Sequence, residues 1–114
     1  MASISLQITV CIAEENIPKF FEYFKPVYDK VIAEPACTFF ELYQSQENPG
    51  EISWVENWSE SQEWLMQNQI PKSYYEEYFK VTEPMLLKPR EVKVLKRLGS
   101  PYVMVKKENG GLVN

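Results

Sequence analysis

From Ile4 to Ile12 apolar residues alternate strictly with Ser5, Gln7, Thr9 and Cys11. A period of two over nine residues demands a strand with one face buried. Strand-prone stretches return at Cys37–Ser45, Ile52–Trp58 and Glu91–Leu98, and helical spacing separates them in a fixed order. Ile17, Phe20, Phe21, Phe24, Tyr28, Val31 and Ile32 recur at intervals of three and four, one apolar helix face. Asn16 is the expected cap, Pro18 suits the first turn, and Glu14 and Glu15 favour the positive helix end. Pro26 removes a backbone donor inside this pattern, so a kink or break is expected there, and Pro35 ends the helix. Glu47-Asn48-Pro49-Gly50 is a turn by composition, so the second and third strands form a hairpin. Ser59-Glu60-Ser61-Gln62 reads as a capping box with Ser59 as cap, opening a short helix over about Glu60–Asn68. Pro71 restarts a helix with Tyr74, Tyr75, Tyr78, Phe79, Thr82, Met85 and Leu86 on its apolar side, and Pro89 ends it. Gly99-Ser100-Pro101 breaks the fourth strand. A short fifth strand is expected at Tyr102–Val105, then a loose tail from Lys106 to Asn114.

The order is β-α-β twice over, joined by a hairpin. That is the α+β, ferredoxin-like split βαβ topology, with an antiparallel sheet. Right-handed crossovers place both helical layers on one face of the sheet. The other face, carrying Phe39, Tyr43 and side chains of the third strand, is then expected to be too apolar for water. A second copy of the same chain would cover it, giving a homodimer whose two sheets pack as an α+β barrel. Residues 1–98 form the expected domain and 99–114 a C-terminal extension.

Composition removes whole classes of chemistry. Histidine is absent from all 114 residues. Imidazole bases, His-containing triads, HExxH zinc sites and a proximal-His haem are excluded with it. Four glycines, at positions 50, 99, 110 and 111, cannot write a dinucleotide or phosphate loop. Glu41 and Glu56 on the hairpin are better read as structural carboxylates than as cation ligands, so no metal is expected, and cofactor-free chemistry remains open. The net charge of −4 divides into −9 over residues 1–87 and +5 over 88–114. Lys93, Lys96, Arg97, Lys106 and Lys107 are interleaved with valines and leucines, the pattern of a lysine-guarded edge strand rather than a nucleic-acid arm. No apolar run approaches a membrane span, and no signal peptide is legible at the N-terminus. Free Cys11 and Cys37 in the cytoplasm are therefore expected, without a disulfide.

Glu34-Pro35-Ala36-Cys37, Phe40-Glu41-Leu42-Tyr43, the Asn48-Pro49-Gly50 turn and Trp54-Val55-Glu56-Asn57-Trp58-Ser59 together resemble the antibiotic biosynthesis monooxygenase family. The likeness spans about residues 4–98 and includes a Glu-x-Trp strand ending just before a helix. It implies a dimeric α+β barrel that oxidises a phenol, quinol or anthrone with molecular oxygen, using neither metal nor flavin. Two departures stand out. The helix after the Glu-x-Trp strand has no histidine, so haem degradation is not implied. Trp54 occupies the place, four before the motif Trp, where anthrone-oxidising members carry Asn.

The resemblance points to Trp58 as oxyanion donor or ligand platform, with Asn57 and Tyr74 as further polar catalytic candidates. Trp54, Trp64, Tyr78 and Tyr28 are the expected substrate-binding aromatics. Trp54, Glu56 and Trp58 share a strand face. Tyr74, Tyr75 and Tyr78 lie close on one helix, where dry burial of every hydroxyl would be costly, so a cavity or interface is expected beside at least one. The alternative function is a non-catalytic or cyclase-like barrel that binds an aromatic or polyketide ligand.

Overall fold

The computed structural model describes residues 3–106. Its strands are β1 (Ile4–Cys11), β2 (Cys37–Gln44), β3 (Glu51–Trp58) and β4 (Glu91–Lys96). They form one sheet in the order β2-β3-β1-β4, every neighbouring pair antiparallel. Helix α1 (Ile17–Ile32) follows β1. A short α2 (Gln62–Trp64) follows β3 and continues as a π-turn over Leu65–Gln69, and α3 (Glu76–Thr82) precedes β4. This is the expected α+β, ferredoxin-like arrangement.

Register decides which side chains meet the helices. Ile4, Leu6 and Ile8 of β1 stand opposite Trp58, Glu56 and Trp54 of β3, so all six point to the helical side. Phe40 and Leu42 of β2 join them beside Glu56 and Trp54. Phe20, Phe24, Val27 and Val31 of α1 pack down on this surface. The Phe24 and Trp54 rings meet edge to face with centroids 4.9 Å apart. Gly50 closes the β2–β3 hairpin against β1: Ile12 N–H donates to its carbonyl at 2.9 Å, and a Cβ there would collide with the Ile12 carbonyl.

Several local expectations are corrected. Pro26 does not break α1, which runs unbroken through it. The helix face is wide and buried enough to hold the turn against one missing donor. Asn16 makes no side-chain cap, because a 3-10 turn over Glu14–Asn16 leads directly into α1. Ser61, not Ser59, caps α2, its Oγ accepting from Trp64 N–H at 3.1 Å. Ser59 N–H instead donates to the Ala36 carbonyl at 2.8 Å, which holds it at the strand end. The long helix expected after Pro71 divides into 3-10 turns at Ser73–Tyr75 and Glu83–Met85 on either side of α3. No fifth strand forms at Tyr102–Val105. Gly99 takes a positive φ of 75°, and Tyr102 N–H donates to its carbonyl at 2.8 Å, closing a turn that leaves the sheet. Residues 107–114, most of the expected tail, lie outside the described residues.

The open sheet face is more polar than expected. The side chains of β3 there are Glu51, Ser53, Val55 and Asn57, since Ile52, Trp54 and Trp58 face the helices. Thr9 and Ser53 are hydrogen-bonded at 2.8 Å in its middle. Phe39 and Tyr43 stand on it, 42% and 46% exposed. No helix among the described residues is long and apolar enough to cross a membrane.

Candidate functional site

Glu56 is the centre of the site. Period two places it between Trp54 and Trp58 on the helical side of β3. Both indoles donate to it: Trp54 Nε1 to Oε2 at 2.8 Å and Trp58 Nε1 to Oε1 at 3.0 Å. Burial pushes its pKa above the usual carboxylate value, and the two indole donors pull the other way. Each oxygen keeps a lone pair, so the carboxylate can still accept a proton.

Above Glu56 lies an apolar cavity of about 90 Å³ between sheet and helices. Its walls include Leu6, Ile8, Phe24, Phe40 and Trp54. Tyr28 and Phe40 cross edge to face, their centroids 5.0 Å apart. Tyr75, Tyr78, Phe79 and Arg90 complete the wall on the α3 side, with Ile70 at the rim. Burial raises the Tyr78 hydroxyl to a pKa of about 12, while the neighbouring Arg90 guanidinium holds it lower.

A polar chain runs from this wall to the surface. Gln69 ends the π-turn and is 1% exposed. Its amide donates to the Tyr74 hydroxyl at 2.6 Å and to the Tyr75 hydroxyl at 2.8 Å. Tyr74 in turn donates to Glu34 Oε2 at 2.7 Å, and Lys72 Nζ donates to the same oxygen at 3.0 Å. These two donors, Tyr74 first, hold the Glu34 carboxyl below its usual pKa. Burial, with Glu34 adjacent, lifts Tyr74 to about 12. Burial also drives Tyr75 well above its usual value.

The expected site residues therefore separate. Trp54, Tyr78 and Tyr28 meet in the cavity. Trp58 is fully buried, and its single N–H is committed to Glu56 rather than free for a ligand oxygen. Asn57 sits on the opposite sheet face, beside Ser5 and Phe39. Tyr74 belongs to the polar chain. Trp64 lines an outer cleft with Glu34, Ser59, Glu60, Asn68 and Lys72. Glu41 pairs with Val55 and Glu56 with Phe40, so the two carboxylates lie on opposite faces and cannot share a cation. Cys11 and Cys37 are both free. Burial first, then the Glu56 charge, raises the Cys37 thiol to about 11, so it is an inert thiol. Sequence reasoning passed over Gln69 and Arg90, and it named Tyr75 only within the tyrosine cluster expected beside a cavity or interface, where the structure places it. Neither Gln69 nor Arg90 carried a clear local signal: Arg90 follows the helix-ending Pro89 but sits among Lys88, Glu91 and Lys93.

A family model described as antibiotic biosynthesis monooxygenase matches residues 3–69. A protein from Pestalotiopsis microspora, provisionally named a monooxygenase, is 38% identical over 96 residues, covering 84% of this chain and 80% of its own. Solved structures share the fold. A conserved protein from Methanosarcina mazei Go1 has a TM-score of 0.75 at 23% identity, over 85% of this chain and 94% of that one. A protein from Caulobacter crescentus CB15, provisionally named an antibiotic biosynthesis monooxygenase, has a TM-score of 0.76 at 19% identity, over 86% and 92%.

Proposed function

The chain belongs to the antibiotic biosynthesis monooxygenase family, and on that premise we propose that it is a cofactor-independent monooxygenase of phenols or quinols, working as a homodimer. The observation that carries the reading is a part-buried carboxylate, held by two indoles, on the floor of an aromatic cavity. Glu56 takes the proton of the substrate hydroxyl. Its raised pKa narrows the gap to a phenol, which favours the transfer. The phenolate gives one electron to molecular oxygen, and the resulting radical pair combines at a ring carbon bearing hydrogen. Glu56 returns its proton to the peroxide. The ring hydrogen and the terminal hydroxyl then leave as water, so a C–H becomes C=O and one oxygen atom stays in the product. Trp54 and Trp58 position the base, and the aromatic walls exclude water from the radical pair.

The volume of the cavity narrows the substrate. About 90 Å³ is less than the apolar cavity of about 150 Å³ that accepts benzene. A single ring therefore fits better than a tricyclic anthrone, and Ile70, at the rim and 43% exposed, is the wall best placed to yield. Oxygen uptake with a panel of hydroquinones, simple phenols and dithranol-like anthrones tests the proposal. Uptake above the uncatalysed rate is expected for single-ring quinols, and E56Q should lower kcat by about 10²–10⁴-fold. No uptake with any of the panel would count decisively against catalysis. Ligand quenching of Trp fluorescence without uptake would place the chain among aromatic-binding barrels.

A further inference from the structure

The cavity contains two buried polar groups that the oxygenase reading does not use. The Tyr78 hydroxyl and Arg90 Nη2 are both enclosed, and neither has a hydrogen-bond partner among the described residues. Tyr78 is 4% exposed, and both residues line the same cavity. Two positions are already fixed. Arg90 Nη1 donates to Glu83 Oε2 at 2.6 Å, and its guanidinium carbon lies 5.0 Å from the centre of the Phe79 ring. The free Nη2 is thus held in place rather than left to swing into solvent. An unmet buried donor costs about 1–3 kcal/mol, so a pair in one cavity calls for an occupant.

We infer that Tyr78 and Arg90 form a two-donor subsite for a neutral carbonyl-type oxygen conjugated to the aromatic ring of the ligand. The inference rests on the cavity being the ligand site. The Arg90 guanidinium lies close enough to the Tyr78 oxygen to lower its pKa, yet a bond between them would remove only part of the need. Were Arg90 to donate to the tyrosine oxygen, the tyrosine proton would still lack an acceptor. The charge count selects a carbonyl over a carboxylate. Glu83 already offsets Arg90, and Glu56 contributes a second carboxylate to the same cavity. A ligand carboxylate would add a third anion to this apolar space, whereas a carbonyl oxygen accepts from both donors without adding charge. The chemistry agrees. When Glu56 removes the hydroxyl proton, conjugation moves negative charge onto the carbonyl oxygen, where two fixed donors meet it.

Anaerobic titration of the full chain, followed by Trp fluorescence, tests the subsite with three single-ring probes. They are 4-hydroxyacetophenone, 4-ethylphenol (the same outline without an acceptor) and 4-hydroxybenzoate. The ketone should bind about 10-fold or more tighter than the ethylphenol, because a site built to hydrogen-bond rejects the ligand that leaves its donors unmet. The benzoate should bind more weakly than the ketone. Y78F and R90M should each shrink the ketone preference, and the carbonyl stretch of the bound ketone should lie at lower wavenumber in wild type than in Y78F. Equal affinity for ketone and ethylphenol, or a preference untouched in both variants, overturns the subsite. Uptake of oxygen with equal affinities would sink the subsite alone. Ketone preference without uptake would sink the oxygenase reading alone.

Discussion

At the scale of single residues, two carboxyls carry opposite pH signatures. Glu56 has its folded pKa raised above the ordinary 4.5, chiefly by burial. Its contribution to stability is full below pH 4.5 and is lost as pH rises through the folded value. Glu34 has its pKa lowered, first by the Tyr74 hydroxyl and then by Lys72. Its contribution is full above 4.5 and is lost as pH falls through the folded value. Urea midpoints from pH 3 to 8 separate the two. The difference between E56Q and wild type should move in favour of the variant as pH rises. For E34Q it should move in favour of the variant as pH falls. A pH-independent difference for E56Q would mean that its carboxyl is not buried as described. The common face of Trp54, Glu56 and Trp58 was legible from the period of a strand. That both indoles donate to the glutamate was not, because an indole N–H commits to whichever acceptor the packing brings near.

Among the elements, α1 carries an evident liability. Pro26 is exposed, lies inside the helix and offers no N–H to the carbonyl one turn earlier. P26A should raise stability by about 1–3 kcal/mol, read as a higher urea midpoint at unchanged slope. An unchanged or lower midpoint would show that α1 gains from the fixed φ of proline. The π-turn over Leu65–Gln69 is the opposite case, an irregularity with a use. Ile70 N–H reaches back to the Leu65 carbonyl at 2.9 Å, and the widened turn ends on a buried Gln69 that holds Tyr74 and Tyr75. Q69L should lower stability by about 1–3 kcal/mol by taking the donor from the Tyr75 hydroxyl, while Tyr74 keeps its bond to Glu34. The apolar periodicity revealed α1 and the strands. It could not reveal the π-turn, which has no local sequence mark, nor the choice of Ser61 over Ser59 as cap, which depends on where β3 stops.

For the whole molecule, the open sheet face is the feature that bears on assembly. Its exposed aromatics, Phe39 and Tyr43, lie on the edge strand β2. If a second copy covers this face, light scattering should give twice the chain mass, and F39E/Y43K should return one chain mass with the circular dichroism of the fold intact. A wild-type mass equal to one chain would remove the homodimer from the proposal. The order of elements, the α+β class and the faces of the strands were determined by the sequence itself. They rest on local periodicity and turn chemistry, which neighbouring residues along the chain suffice to set. The cavity, the carboxylate between two indoles and the unmet pair of Tyr78 and Arg90 were decided only in three dimensions. Their members come from β3, α3 and the segment before β4, and no short-range rule states which distant side chains will share one enclosed space.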